Sequence, residues 1–172
     1  MKRTCKQCGE RLLMRRSDAR FCSTRCRVAA HRALPAFPVE LTAVRRWVRR
    51  DRKRPITMSG APASSTDSST WSTYADAMRS SAGDGFGVML GDGLACWDLD
   101  HCLKGDVLAP WAADVLASID SPLWVERSMS GTGLHVFINA AEGLGRRRGG
   151  VEFYSRARFI AVTEDRFTSP VA

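Results

Sequence analysis

The apolar pattern of the chain begins in earnest at Leu41; residues 1–32 hold too few apolar positions to build a core of their own. Leu41, Val44, Trp47 and Val48 recur at helical spacing and predict an Arg-rich helix over Leu41–Arg50. A polar stretch rich in Ser, Gly and Pro, Thr57–Ser69, reads as a loop. A second helix is expected over Thr70–Ser80, with Trp71, Tyr74, Ala75 and Met78 as its apolar face. Phe86–Leu90 and Leu94–Leu99 are short apolar runs around Gly91-Asp-Gly93, a hairpin signal. A helix follows over Leu108–Ile119, and then strands at Leu123–Arg127, Leu134–Ile138, Val151–Tyr154 and Phe159–Val162. This order fits an α+β domain with a largely antiparallel sheet rather than a doubly wound parallel one. Ala33–Pro38, with two prolines, reads as a short stiff linker. The expected organisation is therefore a module over 1–32, a linker over 33–40 and a core over 41–172.

Composition narrows the class. The 172 residues are 44% hydrophobic, which argues for a folded chain. No stretch approaches the roughly 18 apolar residues of a membrane span, and the start lacks the apolar region of a signal peptide. The chain is expected to be soluble and cytoplasmic, so its six cysteines read as ligands or core residues rather than disulfides. The net charge of +8 is uneven: residues 1–54 carry 17 Lys/Arg against 4 Asp/Glu, the remainder 9 against 14. A basic head on an acidic body is the pattern of a nucleic-acid contact joined to a cation-binding core, or else of a solubilising tail.

Cys5-Lys-Gln-Cys8-Gly and Cys22-Ser-Thr-Arg-Cys26 give C-x2-C, a 13-residue gap, then C-x3-C. Two close-spaced thiol pairs can each clasp one side of a tetrahedral Zn²⁺, and Gly9 suits a knuckle turn. His31 is a substitute ligand or, on the basic helix beside Arg27 and Arg32, a phosphate contact. Zinc knuckles serve as scaffolds or as nucleic-acid binders; arginines at 11, 15, 16, 20, 25 and 27 favour the second. Cys96 and Cys102 have no nearby thiol pair and read as core.

Asp98-Leu-Asp100 ends the run Leu94–Trp97, and strand alternation puts both carboxylates on one face. Close unpaired carboxylates repel, and a bound Mg²⁺ or Mn²⁺ relieves that repulsion; a solvated strand end is the plainer alternative. In Ser130-Gly-Thr-Gly-Leu-His135, Gly131 and Gly133 let the backbone approach a ligand, and the Ser and Thr hydroxyls can donate to phosphate. The alternatives are a plain hairpin turn and a core histidine. Glu152, between Val151 and Phe153, supplies a third carboxylate for a two-metal site or faces water. Arg156 and Arg158 follow, able to neutralise phosphate charge or simply solvated.

Asp98-x-Asp100, Ser130-Gly-x-Gly-x-His135 and Glu152 with Tyr154 and Arg158-Phe-Ile-Ala-Val-Thr163 together resemble the archaeo-eukaryotic primase superfamily. The likeness is to its phage and plasmid bifunctional DNA primase/polymerase N-terminal domain, over roughly residues 40–165; Lys53-Arg-Pro55 and Asp67-x-x-x-Trp71 also fit. The resemblance implies a core of the RNA-recognition-motif type. It implies that Asp98, Asp100 and Glu152 bind two catalytic metals, and that Ser130 and His135, with Gly131, Gly133 and Arg158, contact the nucleotide. The implied reaction is nucleotidyl transfer on a single-stranded DNA template, with nucleoside triphosphates as substrates. Family members commonly continue into helical segments and often a helicase, whereas this chain stops at Pro170-Val-Ala172. A separate helicase partner, or a longer parent chain, is therefore expected. Zinc leads the core here, whereas in relatives it usually lies within or after it. Two other functions fit the same residues: a non-catalytic nucleic-acid-binding replication module, and a metal nuclease.

Overall fold

The computed structural model describes residues 4–5, 7–12, 19–33 and 37–168, in two compact units, Met1–Ala36 and Phe37–Ala172. Arg15, Arg16, linker residues 34–36 and the terminal Pro170–Ala172 lie outside the described residues, as does the side chain of His31.

The first unit is a turn followed by a helix. A bridge between Thr4 and Arg11 brackets the turn, in which the Cys5 N–H donates to the Glu10 carbonyl at 2.7 Å and the Gly9 N–H to that of Cys5 at 2.9 Å. Gly9 has φ +74°, a conformation that glycine adopts without strain. Helix α1, Thr24–Ala33, starts where the Ser23 hydroxyl accepts the Cys26 N–H at 3.1 Å, an N-cap.

The second unit runs α2 (Val39–Thr42), β1 (Trp47–Asp51), β2 (Arg54–Ile56), a 3-10 turn at Ser68–Thr70, α3 (Tyr74–Arg79), β3 (Gly85–Met89), β4 (Leu94–Leu99), β5 (Leu103–Lys104), β6 (Val107–Leu108), α4 (Pro110–Ala117), β7 (Trp124–Arg127), β8 (Leu134–Asn139), β9 (Arg146–Arg148), β10 (Val151–Tyr154) and β11 (Phe159–Val162). One sheet has the order β11-β3-β1-β2, a second β7-β8-β4-β10-β9, and β5-β6 form a small hairpin. Every strand pair is antiparallel. The unit is mixed α and β, with antiparallel sheets and few helices, as the sequence implied.

The two sheets share one core. Trp47, Phe86, Val88, Ile160 and Val162 from the first meet Leu94, Cys96, Trp124 and Phe137 from the second. Aromatic rings fill it: Phe37, inside the expected linker, lies 4.6 Å from Trp124 and 6.0 Å from Trp47 between ring centroids. The far face of the second sheet packs Leu99, Leu134 and Val136 under α4, and Val48, Trp71 and Met89 cluster separately.

Three expectations are corrected. The helix over Leu41–Arg50 is one turn, α2, followed by strand β1. Trp47 and Val48 are both fully buried, in different clusters, which a strand achieves by sending neighbours to opposite faces. The Leu41 carbonyl, left over at the helix end, accepts the Trp47 indole N–H at 2.9 Å. In α3 the buried residue is Ala77, while Ala75 and Met78 are exposed and Trp71 precedes the helix. Its start is set by polar capping: the Thr73 hydroxyl accepts the Asp76 N–H at 3.1 Å, and the Thr73 and Ser72 hydroxyls donate to the Asp76 carboxylate. Finally, Gly91-Asp-Gly93 makes a tight turn but not a hairpin. Asp92 and Gly93 both have positive φ, and residues 91 and 94 exchange two backbone hydrogen bonds at 3.0 Å. Beyond that bridge β3 and β4 part into different sheets, and Arg46 ties the turn to the first sheet through Asp92 at 2.7 Å.

Candidate functional site

Register in the second sheet lines up five polar residues. β4 pairs Asp98 with His135 of β8 and with Glu152 of β10; β7 pairs Glu126 with His135, and β9 pairs Arg147 with Glu152. Cross-strand partners share a face, so Glu126, His135, Asp98, Glu152 and Arg147 form one row. The next row on that face, Trp124–Phe137–Cys96–Tyr154, is apolar and reaches the shared core. The polar row thus sits where the core gives way to a cavity.

That cavity, of about 500 Å³, is lined by Asp98, Asp100, His135 and the Ser128–Ser130 loop on one side. Lys53, Pro55, Ser65 and the stretch from Ala157 to Ala161 line the other. Its size is ordinary for a small-molecule site. Asp100 follows the end of β4, where its N–H donates to the Gly150 carbonyl at 2.8 Å. The loop is closed by the Ser128 N–H on the Gly133 carbonyl at 2.9 Å, and its hydroxyls chain from Ser128 to Ser130 at 3.0 Å and on to Thr132 at 2.9 Å. Gly131 takes φ +74°; a Cβ on Gly133 would lie 2.7 Å from the Leu99 carbonyl oxygen, so nothing larger fits.

Electrostatics at the row are unbalanced. Burial pushes the Asp98 carboxyl up from its ordinary range; His135 opposes this, Asp100 and Glu152 add to it, and Arg158 opposes it again. A cation placed there would relieve the repulsion. Glu152, 5% exposed, is already engaged: Arg147 lies 2.6 Å from one oxygen, and the Tyr154 hydroxyl donates to the other at 2.7 Å. Arg158 stands 3.8 Å from Glu152 and stacks on Tyr154 at 4.3 Å. The carboxylate thereby raises the Tyr154 hydroxyl above its ordinary pKa. Arg156 is exposed.

Sequence reasoning missed Glu126. It is fully buried and accepts from the Trp124 indole and from the Thr163 and Glu164 N–H groups, each at 3.1 Å, with His135 Nδ1 at 3.3 Å. Alternation in Trp124-Val-Glu-Arg127 does place residue 126 with Trp124, the one available signal. Lys53 and Pro55 stood in a stretch that fits the resemblance but carried no assigned role, and Ser65 lies in a polar loop with no pattern of its own.

In the first unit, the sulfurs of Cys5, Cys8, Cys22 and Cys26 all lie within 4.8 Å of one another, with Cys8–Cys22 and Cys22–Cys26 at 3.5 Å. Tetrahedral zinc with bonds of about 2.3 Å needs sulfurs about 3.8 Å apart, so the cluster is compatible with zinc. Burial works against the Cys5 thiolate, but N–H groups of Cys22, Cys8 and Gln7 more than offset it and lower its pKa to about 6. The Cys8 and Cys22 thiols are raised: at Cys8 an N–H of Glu10 lowers it but Cys5 and Cys22 outweigh this, and at Cys22 the dominant neighbour is Cys26. Among the described residues this is the one group of three or more such ligands gathered closely enough for a metal; Asp98, Asp100 and Glu152 are not so gathered. Arg11, Arg20, Arg25 and Arg27 are exposed. Cys96 and Cys102 are buried, their thiols donating to the Trp97 and Leu99 carbonyls, and burial pushes both pKa values up. Among the described residues no helix is long and apolar enough to cross a membrane. No protein-family model matches the chain, and a search of curated proteins finds no relative.

Proposed function

We propose that the chain is a template-dependent DNA primase/polymerase, with an RRM-like core of the primase-superfamily type, that joins nucleotides on single-stranded DNA. One observation supports this most: Asp98 and Asp100 share a cavity with the Ser128–Ser130 hydroxyls, His135, Lys53 and Arg158. Carboxylates for divalent cations, and hydroxyls and cations for phosphates, are the two needs of a nucleoside triphosphate. Asp98 and Asp100 would hold Mg²⁺ or Mn²⁺, and Glu152 would join them by exchanging Arg147 and Tyr154 for the ion. Such ions would activate the attacking 3′-hydroxyl and stabilise the leaving pyrophosphate. Ser130 and His135 would orient the phosphates, with Lys53 and Arg158 balancing their charge. Zinc is the metal proposed for the cysteine cluster, whose exposed arginines would grip the template.

The test is incorporation of labelled nucleotide on single-stranded DNA with Mg²⁺ or Mn²⁺. Incorporation by the wild type, lost in the folded Asp98→Ala/Asp100→Ala variant, is the expected result; equal incorporation by both overturns the reading. A second reading, a non-catalytic replication module that binds nucleic acid, is favoured by the engagement of Glu152 with Arg147. Strand binding without incorporation would select it. Shortening of the strand without added nucleotides would select a nuclease instead.

A further inference from the structure

The geometry points to Glu126 as a positioning residue that fixes which nitrogen His135 offers to the cavity. A carboxylate with no exposed surface is strongly destabilising unless it is fully hydrogen-bonded, and Glu126 is. Three of its four partners can only donate: the Trp124 indole N–H and the Thr163 and Glu164 backbone N–H groups. A carboxylate so supplied accepts from its fourth neighbour as well. His135 Nδ1 therefore carries hydrogen and donates to Oε1, at 3.3 Å. The opposite tautomer would set a nitrogen lone pair against a carboxylate oxygen. With Nδ1 committed inward, Nε2 is the ring atom turned toward Asp98, 3.9 Å from its Oδ1, and His135 lines the cavity there. A partner that fixes the tautomer and the ring plane is how histidines are aimed at ligands.

The anchor has three separate origins: the Trp124 side chain two residues back on the same strand, the segment after β11, and β8. Glu126 holds the ring's orientation only when all three are in place. Its role in nucleotide transfer rests on the function proposed above, but its hold on His135 does not, and the two are separable by experiment.

The measurement is nitrogen-15 NMR of histidine in the full chain, which has three histidines, alongside incorporation kinetics. Wild type is expected to show His135 with hydrogen on Nδ1. In Glu126→Gln the amide must point its NH₂ at one of the existing donors, so that resonance is expected to be lost or displaced. Nucleotide kcat/KM is expected to fall about 10–100-fold, the usual cost of removing such a support, with Glu126→Asp recovering part of it. An Nδ1 without hydrogen in the wild type overturns the proposal, as does Glu126→Gln that keeps both the resonance and the kinetics. If Glu126→Gln fails to fold, the wild-type and Glu126→Asp spectra decide. A wild-type chain without any incorporation removes the transferase reading, while the spectrum still decides what Glu126 does to His135.

Discussion

The described residues up to Ala33 and those of 37–168 solve the problem of staying folded in different ways. The second unit buries aromatic and aliphatic side chains between two sheets, and Trp47, Phe137, Leu94 and Leu134 are almost wholly removed from water. In the first, the described residues offer Cys5 and Leu12 as buried apolar groups, and four sulfurs converge. With the proposed zinc bound there, most of the folding free energy of this unit would come from metal bonds rather than from surface burial. One unit should therefore respond to chelators and the other to cavities.

Metal removal should give the largest contrast. A strong chelator, or Cys22→Ser, is expected to collapse the dispersed amide signals of the described residues up to Ala33 and leave those of 37–168 unchanged. Structural zinc, the metal proposed for the cluster, is worth about 10–16 kcal/mol in small zinc modules. Retained dispersion in both units after chelation would break the comparison. Next comes Trp47→Ala, which empties the centre of the shared core and orphans the Leu41 carbonyl. Urea denaturation of the second unit should register a loss of about 3–5 kcal/mol, with no change in the metal affinity of the first.

The smallest effect sharpens the picture inside the second unit. The Thr73 and Ser72 hydroxyls hold the Asp76 carboxyl at about 2, below its ordinary 3.8, with Arg79 assisting. A depressed carboxyl stabilises the fold above its unfolded pKa and loses that contribution as pH falls through the folded value. The melting-temperature gap between wild type and Asp76→Asn should therefore be full above pH 4 and close toward pH 2. A gap independent of pH would assign the effect to packing.

What the sequence revealed depended on how local each signal was. β8, β10 and β11 were readable because their apolar runs are self-sufficient. β1 was not: Leu41, Val44, Trp47 and Val48 happen to fit a helix, and what makes Trp47–Asp51 a strand is pairing with β3, some 40 residues on. β9 is three arginines, invisible to any apolar pattern. The turn chemistry of Gly91-Asp-Gly93 was legible, but turn residues do not say which sheet each strand joins. In the site, Asp98, Asp100, His135 and the Ser130 loop do line one cavity. Glu152 was legible as a carboxylate beside Asp98 but not as Arg147's partner. Glu126 shared a face with Trp124 by alternation, but two of its donors come from Thr163 and Glu164, far along the chain, so its buried role was not legible.

The strand that completes the first sheet, β11, brings with it the cavity wall from Ala157 to Ala161, and the segment just after it supplies two of the donors that hold Glu126. Chains are made from the N-terminus, and pairings between distant segments form late. A ribosome that has released β4, β7, β8 and β10 has therefore produced every acidic and imidazole group of the row, yet no closed cavity. The nucleotide transfer proposed above would therefore wait for roughly the last fifteen described residues to emerge. A nascent or prematurely halted chain should be inert toward nucleotides, however well its four-cysteine cluster has already formed.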